Sequence, residues 1–184
     1  MQSIELCRSV LSERSADWRP ELLALNDEVA ISVSLAATSL LMLPYWESRY
    51  ERDDEMARLV DAISTWATNP DNDPFCGIRY HLNRAGEVKR ASLSPVWPTP
   101  VGSVFPGDYA GDAIVAAANA ICEMDAPAFS RCSEDCLSLA VKTIAEMMGH
   151  REPFNETTDF LALSETRLRD GILARLTEWQ QNAA

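Results

Sequence analysis

Residues Val29 to Trp46 read VAISVSLAATSLLMLPYW, eighteen positions without a charge between Glu28 and Glu47. A run of that length approaches the roughly 20 apolar residues that span a bilayer. Its details oppose a membrane span. Ser32, Ser34, Thr38 and Ser39 dilute the hydrophobicity, Pro44 interrupts the end, and Asp27, Glu28 and Glu47 flank the run where basic residues would be expected on a cytoplasmic side. The alternative is a helix buried on nearly all sides of a helical domain, with Ala and Ser allowing neighbouring helices close approach. The rest of the chain then serves to cover it, and Leu41→Asp should be severe because it buries an unpaired charge.

Composition agrees with a covered helix. With 184 residues, 47% of them hydrophobic and 24% charged, the chain can form one domain with a substantial core, expected over residues 1 to 184, and disorder is excluded. The net charge of −12 opposes binding to a phosphate backbone, so no nucleic acid partner is expected, and it favours a basic protein partner or plain solubility. The opening MQSIELCRSVLSER is amphipathic and charged rather than an apolar secretory leader, and the five cysteines are odd in number and scattered. Both features point to a cytoplasmic protein with reduced thiols. Charge is unevenly spread: residues 1 to 74 carry fourteen acids and six bases, and residues 107 to 184 carry thirteen and six. Between them, Arg79, Arg84, Lys89 and Arg90 face only Glu87.

Outward from the central run, Ile4, Cys7, Val10 and Leu11 recur at helical spacing over Ser3 to Glu13. A short helix follows, with Pro20 in its first turn, and Asn26 and Asp27 cap the central helix, which should end or kink at Pro44. Behind Asp53 or Asp54, the residues Met56, Leu59, Val60, Ile63, Trp66 and Ala67 form one helical face that Asn69 and Pro70 terminate. Ile78, Tyr80 and Leu82 then alternate with Arg79, His81 and Asn83, and Arg84-Ala85-Gly86 suits a short loop, so a β-hairpin is expected over 77 to 94. Pro95, Pro98, Pro100 and Pro106 imply a stiff connector anchored by Trp97 and Phe105. Residues 71 to 107 thus read as an insertion between helical halves.

The second half opens with Asp108 as cap of a helix bearing Ala113, Ile114, Ala117, Ala118 and Ile121. A further helix begins at Ala126-Pro127, turns Phe129, Cys132, Cys136, Ala140, Ile144 and Met147 inward, and stops at Gly149. The last, from Thr158 to about Gln180, presents Leu161, Leu168, Ile172, Leu176 and Trp179. The expected fold is mainly α: a single-domain bundle of six to seven helices carrying a central β-hairpin and Pro-rich insertion.

Chemistry-bearing constellations are sparse. Cys132 and Cys136 lack the second pair or histidines a structural zinc site needs, and four-residue helical spacing places Cβ atoms about 5–6 Å apart, too far for a disulfide. Glu146 and His150 stand one residue too far apart for the Glu-x-x-His of di-iron bundles. No phosphate loop, nucleophile elbow or zincin helix occurs. No catalytic residue, metal or cofactor is therefore expected, and a metal-dependent hydrolase built on the acidic clusters is the weaker alternative. Those clusters are Asp53, Asp54 and Glu55 at one helix start, Asp71 and Asp73 in a loop, and Asp108 and Asp112 at another start. Each can serve its helix dipole, worth about 0.3–1 kcal/mol. Together they are the candidate partner-binding residues.

The run from Glu28 to Thr68 has a small-residue helix ending in Leu43-Pro44 and Glu47, then Asp53-Asp54 leading into Ala57, Ala62, Ile63 and Trp66. With the Ala-rich stretch from Ala110 to Ile121, it resembles the helical immunity proteins of bacterial polymorphic toxin systems. The resemblance covers about half of the chain and does not extend to residues 71 to 107. It implies a bacterial inhibitor that binds and blocks a cognate basic toxin domain, with no enzymatic activity expected. A helical adaptor is the alternative.

Overall fold

A computed structural model describes residues 2–50, 54–70, 75–92, 106–123, 125–151 and 159–182. Among them are eight helices and no strand: α1 (Gln2–Ser12), α2 (Trp18–Leu23), α3 (Glu28–Glu47), α4 (Asp54–Thr68), α5 (Phe75–Ser92), α6 (Pro106–Ile121), α7 (Ala126–Arg151) and α8 (Phe160–Asn182). Helix α3 lies at the centre, packed by α1, α4, α6, α7 and α8. Helix α2 closes over α1 and α7, while α5 lies against α4 and α6.

The uncharged run is buried continuously from Ala30 to Ser39. The hydroxyls of Ser34, Thr38 and Ser39 do not oppose this, because these three bond within the helix. Ser34 Oγ donates to Ile31 O at 2.6 Å, Thr38 Oγ1 to Ser34 O at 3.0 Å and Ser39 Oγ to Leu35 O at 3.1 Å, removing most of the cost of burying a polar group. The run can therefore be both polar in composition and dry. Helix α3 is long and apolar enough to cross a membrane, yet 67% of its most apolar stretch is buried inside the protein. Asp27 caps it, accepting a bond from Ala30 N at 2.9 Å.

Helix α3 does not end at Pro44 but continues to Glu47. The proline removes a single backbone donor in the last turn, and the following turn is restored by Ser48 N donating to Pro44 O at 3.0 Å. Trp46, fully buried beyond the proline, gives the extra turn an apolar anchor. In α4 the six apolar residues read from the sequence are the six that are buried. Small residues line the neighbouring surface of α6, where Ala110, Ala113, Ala117 and Ala118 are fully buried and bring the α3 and α7 backbones close.

The expected hairpin is a helix. In α5, Ile78 and Ala85 are buried and Leu82 is partly buried against the core, an i, i+4, i+7 stripe, whereas Tyr80 is 59% exposed. Alternation would have placed Tyr80 on the same face as Ile78 and Leu82. Packing against α4 and α6 selects the helical period, and the abundance of Arg, Leu, Ala, Glu and Lys supports it. The described part of the 71 to 107 segment, residues 75–92 and 106–107, is thus helical, and Pro106 opens α6. Residues 93–105, including Trp97 and Phe105, lie outside the described residues.

Three smaller corrections concern helix ends. Asp108 sits inside the first turn of α6 rather than capping it, and α7 runs past Gly149 to Arg151, placing His150 in its last turn. An interior glycine costs about 1 kcal/mol, too little to stop a helix held by its apolar face. In α7, Met148 is buried where Met147 is partly so; in α8, Leu168, Ile172 and Leu176 are fully buried, while Leu161 is 61% exposed near the helix start.

Helix α1 is fixed by Cys7, whose Sγ donates to Ala30 O at 2.9 Å. Burial, with a smaller contribution from Asp27, pushes this thiol up to about 12. An unfolded cysteine titrates near about 8.5, so between these values the folded chain keeps a proton that the unfolded chain releases. The contribution is complete below the unfolded value and is lost as pH rises, by up to about 1.4 kcal/mol per pH unit. Cys7→Ala should consequently flatten the decline in stability between about pH 8 and about pH 10, read from urea midpoints, whatever its constant cost.

Candidate functional site

The C-terminal end of α3 gathers two of the three acidic clusters. A Cβ at Gly107 would lie 2.6 Å from Arg49 Cβ and 3.1 Å from Tyr45 O, so the start of α6 abuts the end of α3. The Tyr50 hydroxyl donates to Asp108, and the Tyr50 ring stacks on Trp46 with centroids 4.1 Å apart. Helix α4 starts four residues beyond Tyr50, within about 14 Å of chain. Asp54, Glu55, Asp108 and Asp112 therefore occupy one end of the bundle.

They are not equally available to a partner. Glu55, whose side chain is 14% exposed, holds Arg84 Nε at 3.1 Å and Arg58 Nη1 at 3.3 Å through Oε1. His81 Nδ1 stands 3.9 Å from its other oxygen. This carboxylate ties basic α5 to the start of α4, and the bases of the middle segment are in part spent inside the protein. Asp108 is engaged by Tyr50, and Asp112 is half-buried. Asp54 is exposed. Asp53, Asp71 and Asp73 lie outside the described residues.

At the other end, about 30 Å away along the 20-residue helix, a cleft opens that the sequence did not indicate. Its volume is about 450 Å³, and Leu23, Leu25, Val29, Ile31 and Phe129 line it together with Asn26, Asp27, Glu28, Ser130 and Ser133. A second lobe of about 200 Å³ shares Glu28, Val29 and Phe129 and adds Ser32, Trp66, Pro70, Ala120, Ile121 and Glu123. The cleft arises because α3 and α7 both begin here while α4 and α6 end here. Val29 is 40% exposed at the meeting of the lobes, and Glu28 and Glu123 are exposed beside it. Glu28 and Val29 stand out in the sequence only as the edge of the central run, because cleft formation depends on four distant helix ends.

Two polar side chains of the larger lobe are engaged within the protein. Ser133 Oγ donates to Phe129 O at 2.8 Å, and Asp27 is occupied as the α3 cap. Burial raises Cys132 and Cys136 above their ordinary values, leaving them poor nucleophiles. Among the described residues, no group of three His, Cys, Asp or Glu side chains is placed to hold a metal. No protein-family model, curated protein or solved structure matches the chain.

Proposed function

We propose that this chain is a bacterial immunity-type protein that binds and neutralises a cognate basic toxin by covering it. The observation that carries this reading is the net charge of −12, held on a bundle whose acids lie at both ends of the central helix. A field of that sign draws in a cationic partner and repels nucleic acid. Inhibition by occlusion needs no catalytic group, cofactor or membrane contact, and the cytoplasm is where such a toxin would be met. The resemblance of Glu28 to Thr68 to helical immunity proteins supports the same reading.

The direct test is co-expression with the product of an adjacent gene encoding a basic toxin domain. Restored growth together with a purified complex is expected; growth arrest despite soluble expression of both chains rules the reading out. Within a complex, changing Asp53, Asp54, Asp71 and Asp73 together to Asn should slow association about tenfold at low salt and flatten its salt dependence. Loss of a helix-start carboxylate can also cost about 0.5–2 kcal/mol, so thermal midpoints are measured beside the stopped-flow rates. An unchanged rate and salt slope in a folded variant removes these four residues from the recognition surface.

A further inference from the structure

The cleft at the start of α3 has the makings of the docking surface itself. Its smaller lobe is mainly apolar and its larger lobe mainly polar, with Val29 40% exposed between the two. Its rim is acidic: Asp27 and Glu28 border the larger lobe, Glu28 and Glu123 the smaller, with Glu123 also accepting from Asp125 N at 3.1 Å, and among the described residues no basic side chain lines either one. Two of the polar side chains have internal partners: Ser133 donates to Phe129 O, and Asp27 accepts from Ala30 N.

We infer that the cleft receives a cationic segment of the partner, one that lays an aliphatic or aromatic side chain against Val29 and Phe129 and sets flanking Lys or Arg beside Glu28 and Glu123. This rests on the partner being basic, as proposed above. Apolar contact supplies the anchor, and the carboxylates exclude acidic or neutral segments of the same shape. A second copy of this chain fits poorly, because it too carries a charge of −12.

The test uses the full-length protein labelled with nitrogen-15 and a synthetic amphipathic helix of leucines and lysines, with the same peptide carrying glutamates as control. The lysine peptide should shift the amides of Glu28, Val29, Phe129 and Ser130 saturably, with affinity falling about tenfold from low to physiological salt. The glutamate peptide should leave them unmoved. Val29→Lys and Glu28→Lys lie at exposed positions, and each should weaken the lysine peptide about tenfold while the spectrum remains that of the folded chain. Asp27 is left intact because it caps α3. Saturable shifts confined to Asp54 and Asp112 would overturn the cleft while sparing the basic-partner reading. No binding anywhere would overturn both. Equal binding of the two peptides would leave a merely apolar site and overturn the charge selection, and concentration-dependent shifts of the same amides without peptide would identify a second copy as occupant and overturn the inference.

Discussion

Leu35→Asp is expected to cost more than about 4 kcal/mol and to leave a large unfolded population at neutral pH. Leu35 is fully buried, with Ser34, Ala36 and Ala37 equally buried beside it, and α3 has no charge of its own between its terminal glutamates. A carboxylate there must either stay ionised in a dry environment or take up a proton, and its native pKa must rise. Because the unfolded Asp titrates near about 3.9, the penalty grows as pH climbs above that value. The variant should be less impaired near about pH 4 than at pH 7 relative to Leu35→Asn, which cannot titrate. Urea unfolding of the two variants at both pH values checks this, and equal pH profiles would refute the buried-charge account. Leu41→Asp should be milder than Leu35→Asp. Leu41 is only partly buried, and its Cδ1 lies 2.9 Å from where a Cβ at Gly171 would stand, at the contact with α8.

The second large effect comes from adding one methyl group. Gly111 lies in α6 where an added Cβ would be 2.5 Å from both Cε3 and Cζ3 of Trp46, a distance no side chain tolerates. The indole is fully buried and stacked on Tyr50, whose hydroxyl in turn engages Asp108, so it has nowhere to move without opening the contact between α3 and α6. Alanine would ordinarily stabilise a helix over glycine by about 1 kcal/mol. Here overpacking should prevail, with a net loss of about 1–3 kcal/mol. Gly149→Ala is the matched control, since nothing lies within 4 Å of its added Cβ, and it should gain about 0.5–1 kcal/mol. Opposite shifts in melting temperature for the two substitutions are the expected result. A stabilised Gly111→Ala would mean that the α3–α6 contact is looser than described.

Both substitutions act at positions whose importance differs in how plainly the amino-acid order shows it. The run from Val29 to Trp46 announces a buried helix because no charge interrupts it, and burial of Ala30 to Ser39 follows from solvation alone. The six-residue face of α4 and the Leu168, Ile172 and Leu176 stripe of α8 are equally legible, since a helical period repeated over several turns has no competing interpretation. The excess of acid over base is likewise a property of composition. Segment 75–92 was not decided in this way. Over the few residues Ile78 to Leu82, a period of two and a period of 3.6 are both satisfied, and only contact with α4 and α6 chooses Ala85 over Tyr80 as the buried neighbour. Tertiary packing also carried α3 through Pro44, because burial of Trp46 outweighs one missing backbone bond. It joined Glu55 to Arg84, and it made a cleft where the ends of α4 and α6 meet the beginnings of α3 and α7. Local order determines which face of a helix avoids water; which carboxylates remain for a partner depends on residues dozens of positions apart, and so on the assembled bundle.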